Sequence, residues 1–434
     1  MGDKGGNYIE IAGGAINEDC KEDYTMFAQN MNFNALRSAN FIGNNKGLSY
    51  CKPKDAPVVE KKQGKVKEIE LVTTLDLGSK NDKSGGTQLG MIFGKEYTFQ
   101  VKQYENETPL SKQLTKWQLR YHSPKYSKNK WIDIPLKVTG NIVKITMNEE
   151  DMCGRFVYIQ AYIDDPKSEG KLKVWKHNRF RWFDRMIVEK GFEDRKNDPT
   201  LIDQHRTSLC GTAAILFVYA KENGSEYLKK YFEFFRTGYA KINNYSIKPN
   251  PKIFDFNPIN TNLDYPAYRV YSNGQPIVPP HLMEQADWIS LVGTRSSDNK
   301  KYLGKDGEDW DAINWPEYME TMAVSFYRAS LLENKLRTIT GLNFTSDLIE
   351  MQKEYQNGWK IIMLIDSDML DDSISYLGCV TNYHWISYEG DLYIDTNKQA
   401  YEFSYYCWKK LYKKKSFRTQ VFNTNFYGYI KFKK

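Results

Sequence analysis

Two residues have the type and setting for covalent chemistry, a cysteine and a histidine far downstream of it. Cys210 stands where a polar loop, Gln204-His205-Arg206-Thr207-Ser208-Leu209, turns into the apolar run Gly211 to Ala220. The run is apolar on nearly every side, which predicts a buried helix. Ser208 is a candidate N-cap, and that places Cys210 in the first helical turn. The positive end of the helix dipole there favours thiolate over thiol. Gly211 behind it is expected to keep the approach to the sulfur open. Gln204, six residues ahead of Cys210, is placed to donate its side-chain amide to an oxyanion beside the sulfur. A thiol nucleophile needs a base. His384 opens the alternating run Tyr383 to Tyr388, which predicts a strand. Its ring is suited to take the thiol proton and return it to a leaving amine. His205 and His281 are rivals. His205 lies five positions ahead of Cys210, a poor place for a base, and His281 follows Pro279-Pro280 without a strand context.

The Gln-x5-Cys-Gly spacing at a helix start resembles the papain-like cysteine hydrolases, among them papain and the bacteriocin-processing and peptidoglycan-cleaving peptidases. The resemblance implies Cys210 as nucleophile, His384 as base and Gln204 as oxyanion donor. It also implies a third residue that orients the imidazole, and here the sequence departs from the pattern. Papain places an asparagine sixteen residues after the histidine, and that position here is Ala400. If the family's tryptophan corresponds to Trp408, Tyr406 falls in the asparagine slot, and Lys409 stands where glycine is expected. Asp395, Asn397 and Glu402 are the polar alternatives. Asp395 and Asn397 read equally well as residues of a hairpin turn.

The elements that must position these groups are read from periodicity. Residues 1–50 read as a short β segment, whose resemblance to the repetitive β segments that follow spike and cargo modules of contractile secretion systems implies an arm associated with delivery. Residues 51–66 are a charged, Pro-containing linker. Residues 67–180 read as a β-sandwich of immunoglobulin type, with strands over 67–75, 89–93, 96–104, 115–121, 131–134, 141–147, 155–163 and 171–176. Trp117 and Tyr158 are its expected inner-face aromatics. Residues 181–434 are α+β, helices first and sheet second, which is the chain order of the papain-like fold. Expected helices cover 210–222, 226–239, 283–291, about 315–336 and 346–357. Expected strands cover 359–365, 383–388, 392–394, 401–408 and 417–432. His122, His177 and Cys153 read as structural.

Composition bounds the function. The 434 residues suffice for two or three domains, aromatics are 15%, and 31 tyrosines favour β structure. No apolar run is long enough for a membrane span, and residues 1–6 lack the apolar core of a signal peptide. The six cysteines have no CxxC spacing, which argues against a disulfide framework or zinc site and for synthesis in a reducing compartment. The net charge of +7 is modest for this length, and the cluster Lys409, Lys410, Lys413, Lys414, Lys415 reads as a solvated strand end, so no nucleic-acid partner is expected. No Gly-rich phosphate loop or paired ligand motif is present, and no cofactor or metal is expected.

Taken together, the N-terminal β segment, the run Met91-Ile92-Phe93-Gly94-Lys95-Glu96-Tyr97-Thr98-Phe99, Ser208-Leu209-Cys210-Gly211 and Asn382-Tyr383-His384-Trp385 resemble the polymorphic toxins exported by type VI secretion systems of Bacteroidota. The resemblance implies an antibacterial effector made in the cytoplasm and delivered without a signal peptide into the periplasm or cytoplasm of a target cell. It implies a cognate immunity protein, a secretion spike or tube component met through the N-terminal region, and a peptide or peptidoglycan substrate. The alternative is a non-catalytic adaptor of a secretion apparatus with a degenerate papain-like module. Acyl transfer to an amine would use the same residues as hydrolysis.

Overall fold

Alternating inward residues build the first module. In the computed structural model, which describes residues 64–106, 109, 111–123, 129–259, 261–338, 341–374 and 382–434, nine strands precede the first helix. The expectations for residues 1–63 lie outside the described residues. The strands are β1 (Lys65–Leu71), β2 (Asp76–Ser79), β3 (Thr87–Ile92), β4 (Glu96–Glu105), β5 (Lys116–Ser123), β6 (Lys130–Thr139), β7 (Ile142–Thr146), β8 (Arg155–Tyr162) and β9 (Lys171–His177). One sheet has the order β1-β4-β7 and the other β2-β3-β9-β8-β5-β6, with β3 and β9 parallel. Both sheets turn apolar side chains into one core: Val66, Tyr97, Phe99 and Val143 from the first, Trp117, Leu119, Val157 and Ile159 from the second. Trp117 is fully buried, as expected, and its indole donates to the Gly140 carbonyl at 2.7 Å. Tyr158 is a correction. Val157 and Ile159 face inward, so residue 158 faces outward, where its ring lies between Trp131 and the Lys171 ammonium. Buried Glu169 ties the module together, accepting the backbone N–H groups of Val66, Ile163, Asp164 and Asp165 at 2.8–2.9 Å. Burial alone would raise its pKa, but those four donors prevail and lower it.

Helices follow. α1 (Arg185–Asn197) is capped by Asp184, and α2 (Cys210–Thr237) runs through the centre of the core. The expected break inside α2 is real but local: Asn223 leaves helical geometry (φ −128°, ψ 41°), and the chain resumes the helix until Gly238 ends it in the left-handed region. Two hairpins follow, β10 (Ala240–Ile242) with β11 (Tyr245–Ile247) and β12 (Ala267–Val270) with β13 (Pro276–Leu282). α3 (Gln285–Asp287) passes through a π turn into α4 (Gly293–Asp298), and Arg195 of α1 forks onto buried Asp287. α5 (Asp309–Ala312) and α6 (Pro316–Thr321) lead to β14 (Leu331–Asn334), so the helix expected to reach 336 stops well short of it. After α7 (Thr345–Gln356) come β15 (Lys360–Asp366), β16 (Tyr383–Tyr388), β17 (Tyr393–Asp395), β18 (Ala400–Cys407), β19 (Lys410–Arg418), α8 (Thr419–Asn425) and β20 (Phe426–Lys433). α8 corrects the continuous strand expected over 417–432: Val421, Phe422 and Asn425 are buried at helical spacing. Gly428, at φ +101°, follows as β20 opens, opposite a register irregularity in β15.

These strands form one antiparallel sheet in the order β14-β20-β15-β16-β18-β17, with β19 on β18. Its two faces have separate cores. Leu364, Trp385, Tyr406 and Phe432 pack on the α2 side, while Met363, Ile386, Tyr405 and Cys407 pack on the α7 side with Leu348 and Met351. The chain is thus β-rich, with several sheets and a helical layer. Among the described residues no helix is long and apolar enough to cross a membrane.

Candidate functional site: a thiol at a helix tip beside the sheet

The start of α2 shows where its unpaired N–H groups go. Leu209, not Ser208, is the N-cap, and it makes no side-chain cap. The Ser208 hydroxyl donates to Asp309 instead, at 3.1 Å. The Leu209 carbonyl accepts from Ala213, and the Thr212 N–H donates to Asn314 Oδ1 at 2.8 Å. Three backbone N–H donors, those of Trp385, Gly211 and Cys210, favour the thiolate of Cys210. Burial works against all three donors and wins, pushing the thiol up to about 11. Cys210 is 4% exposed, so at neutral pH it is a buried thiol rather than the thiolate the dipole argument favours.

The Trp385 N–H is free for sulfur because of the sheet. β16 pairs with β15 along its length, with Ile365 opposite His384 and Leu364 opposite Trp385. Its pairing with β18 covers only Ser387–Tyr406 and Tyr388–Tyr405. Below that level β18 ends at Cys407, and the tip of α2 packs beside that end of β16. Cys210 therefore lies against the main chain that carries His384.

The His384 ring itself turns elsewhere. Tyr383 and Trp385 pack on the α2 side, so His384 projects on the α7 side, the side of Cys407. Its Nε2 lies 3.0 Å from Cys407 Sγ, and no hydrogen bond joins the ring to Cys210. Trp408 covers it, ring centroids 4.7 Å apart. Burial alone depresses the imidazole to about 4, so it is neutral at pH 7.

The other expected site residues are accounted for. Gln204 is buried, and its side-chain amide donates to the Thr207 carbonyl at 2.8 Å, closing the loop ahead of α2. Tyr406 faces away from His384: its ring stacks on Phe217 at 3.8 Å and its hydroxyl donates to the Ile202 carbonyl. Asp395 accepts from the N–H groups of Asn397 and Lys398, the hairpin-turn role, and Glu402 pairs with Tyr393 of β17. His205, left-handed at φ +54°, packs on Tyr268 and against His281. Gly211 does not clear a path to the sulfur. A Cβ there would lie 2.5 Å from Met319 Sδ and 2.7 Å from Asn314 Cβ, so glycine is required for close packing. Cys153, Cys210 and Cys407 are free thiols. Among the described residues no group of His, Cys, Asp and Glu is arranged to hold a metal.

Two residues at this site were missed from sequence. Cys407 is one. Asn314, fully buried, is the other: its Oδ1 caps α2 through Thr212, while its carbonyl accepts the Trp385 indole N–H at 2.8 Å and the Tyr383 hydroxyl at 3.2 Å. One residue thereby fastens the cysteine helix to the histidine strand. Asn314→Ala is expected to cost about 2–4 kcal/mol, because it leaves a buried helix N–H unpaired and opens a void. Urea unfolding checks this, and a loss under about 0.5 kcal/mol would contradict the tie.

No protein-family model matches the chain, and neither a curated protein nor a solved structure is detectably similar to it.

Proposed function

We propose that the chain is a papain-like cysteine hydrolase, a peptidase or amidase, acting as an antibacterial effector behind an immunoglobulin-like sandwich. The observation that carries this reading is the Cys210 thiol at the tip of α2, a tip that Asn314 ties to the strand carrying His384. The thiol at the helix tip lies against the strand that carries a neutral imidazole, the base of the proposed reaction. In the reaction, the His384 ring takes the Cys210 proton as sulfur bonds to the amide carbon. The carbonyl electron pair moves onto oxygen, towards the N–H groups of the helix tip and the Gln204 amide. The C–N bond then breaks, and the imidazolium returns its proton to the leaving amine. Water, deprotonated by the same ring, cleaves the thioester and regenerates the thiol.

Peptidoglycan stem peptide is the first substrate to test, with a target-cell protein as the rival. In this reading the N-terminal region meets the spike or tube of a type VI secretion system, and an immunity protein protects the producer. Expression in a bacterium, directed to periplasm or cytoplasm, tests it. Wild type should lyse or arrest cells in one compartment, and Cys210→Ala in neither. Equal toxicity of the two would reject the hydrolase. A second reading, a non-catalytic adaptor, is favoured by the burial and protonation of Cys210 and by the pairing of His384 with Cys407. It expects an amide-mimicking electrophile to modify Cys210 no faster than buried Cys153.

A further inference from the structure

The His384–Cys407 contact has a direction that matters. A neutral imidazole carries one proton, and the nitrogen that holds it decides which nitrogen can act as base. Nε2 lies 3.0 Å from Cys407 Sγ. Nδ1 is the nitrogen nearer the ring's own main chain, and Asn314 fastens the helix tip that carries Cys210 to that strand. An Nε2–H donating to the Cys407 sulfur leaves the Nδ1 lone pair free for the Cys210 proton. The opposite tautomer, with the Cys407 thiol donating to Nε2, would block it.

The surroundings serve the same contact. Cys407 ends β18, and Trp408 and Lys409 form the two-residue turn into β19, where Cys407 pairs with Lys410. Both turn residues are left-handed, at φ +44° and +59°. Such a turn is normally made by glycine or asparagine, and a tryptophan in it is strained. The result of the strain is that the indole lies over the imidazole, shielding it from water. Lys409 is held by Glu284, which is bound in turn to Arg195. The titratable groups near Cys407 are His384 itself, Cys210 of α2, Asp203 of the preceding loop, and Tyr405, Tyr406 and Tyr412 of β18 and β19.

We propose that Cys407 is the positioning residue of His384, its sulfur accepting the Nε2–H beneath Trp408 so that Nδ1 serves as the base towards Cys210. This rests on the hydrolase reading above, and it fills the orienting position that Tyr406, Asp395, Asn397 and Glu402 leave empty.

The test uses the full chain. Nitrogen-15 NMR of the imidazoles, assigned with His384→Gln, reads the wild-type tautomer directly. Protonation at Nε2 is expected, and protonation at Nδ1 overturns the proposal whether or not any variant folds. Cys407→Ala is then expected to slow modification of Cys210 by an amide-mimicking electrophile at pH 7 roughly 10- to 100-fold. Cys407→Asn, whose side-chain oxygen also accepts an N–H, should restore most of that rate. An unchanged rate in Cys407→Ala, or no rescue by asparagine in a folded variant, also overturns it. If instead wild-type Cys210 reacts no faster than Cys153 and His384→Gln changes nothing, the hydrolase reading itself has failed, and that outcome is distinct from the others.

Discussion

Cys210→Ala and His384→Ala are each expected to lower the release of soluble peptide from purified peptidoglycan by roughly 10³- to 10⁶-fold, and the double variant is expected to lose no more than the worse single one. The reason is that in the proposed mechanism the two groups act in one step. A thiol pushed up to about 11 by burial is almost wholly protonated at neutral pH, so attack requires proton removal as the carbon–sulfur bond forms. Without the imidazole the sulfur has no base, and without the sulfur the imidazole has nothing to deprotonate, so the losses do not multiply. Peptide release quantified by mass spectrometry checks the pattern. Losses that multiply in the double variant would mean independent roles. Unchanged release from either single variant would remove that residue from the chemistry.

The second large effect is on stability. His177, His205 and His384 are 0%, 6% and 5% exposed. Burial depresses each imidazole to about 4, from an ordinary value near 6.5. The unfolded chain takes up protons at these sites as the pH drops below 6.5, while the native chain resists until about 4. Stability is therefore full above the unfolded value and declines as the pH falls through this window. Each site accounts for about 3 kcal/mol at most, and the three together for up to ~10 kcal/mol, comparable to the whole stability of a typical domain. Below that window Glu169, whose pKa is lowered, adds a loss of the same sign. Urea midpoints measured from pH 7.5 to 4 should fall steeply below 6.5, and the slope should lessen in His177→Gln. A flat profile down to pH 4.5 would show that the rings are protonated in the native state.

Much of this was legible in the sequence, and the failures have physical causes. The sandwich strands were readable because turn residues separate them, whereas β2 and β14, each four residues, are too short to show a period. The segment of α8 was misread because Val421 and Phe422 suggest strand by propensity, while packing decided for a helix. Cys210 and His384 stood out by type and context. The orienting residue was left open among four candidates, and Cys407 was not among them: in a strand one position is a change of face, so Tyr406 packs towards α2 while Cys407 meets the imidazole. Asn314 was invisible because its partners lie about 70 and about 100 residues away in the chain, and no local pattern announces such a contact.

With Asn314 clamping both reactive elements, the site cannot gape like a hinge, since helix tip and strand travel as one body. In the hydrolase reading, room for a peptide has to be made at the rim, where the strained turn at Trp408 covers the imidazole. An inhibitor protein that wedged this tip shut would silence the thiol without ever reaching it.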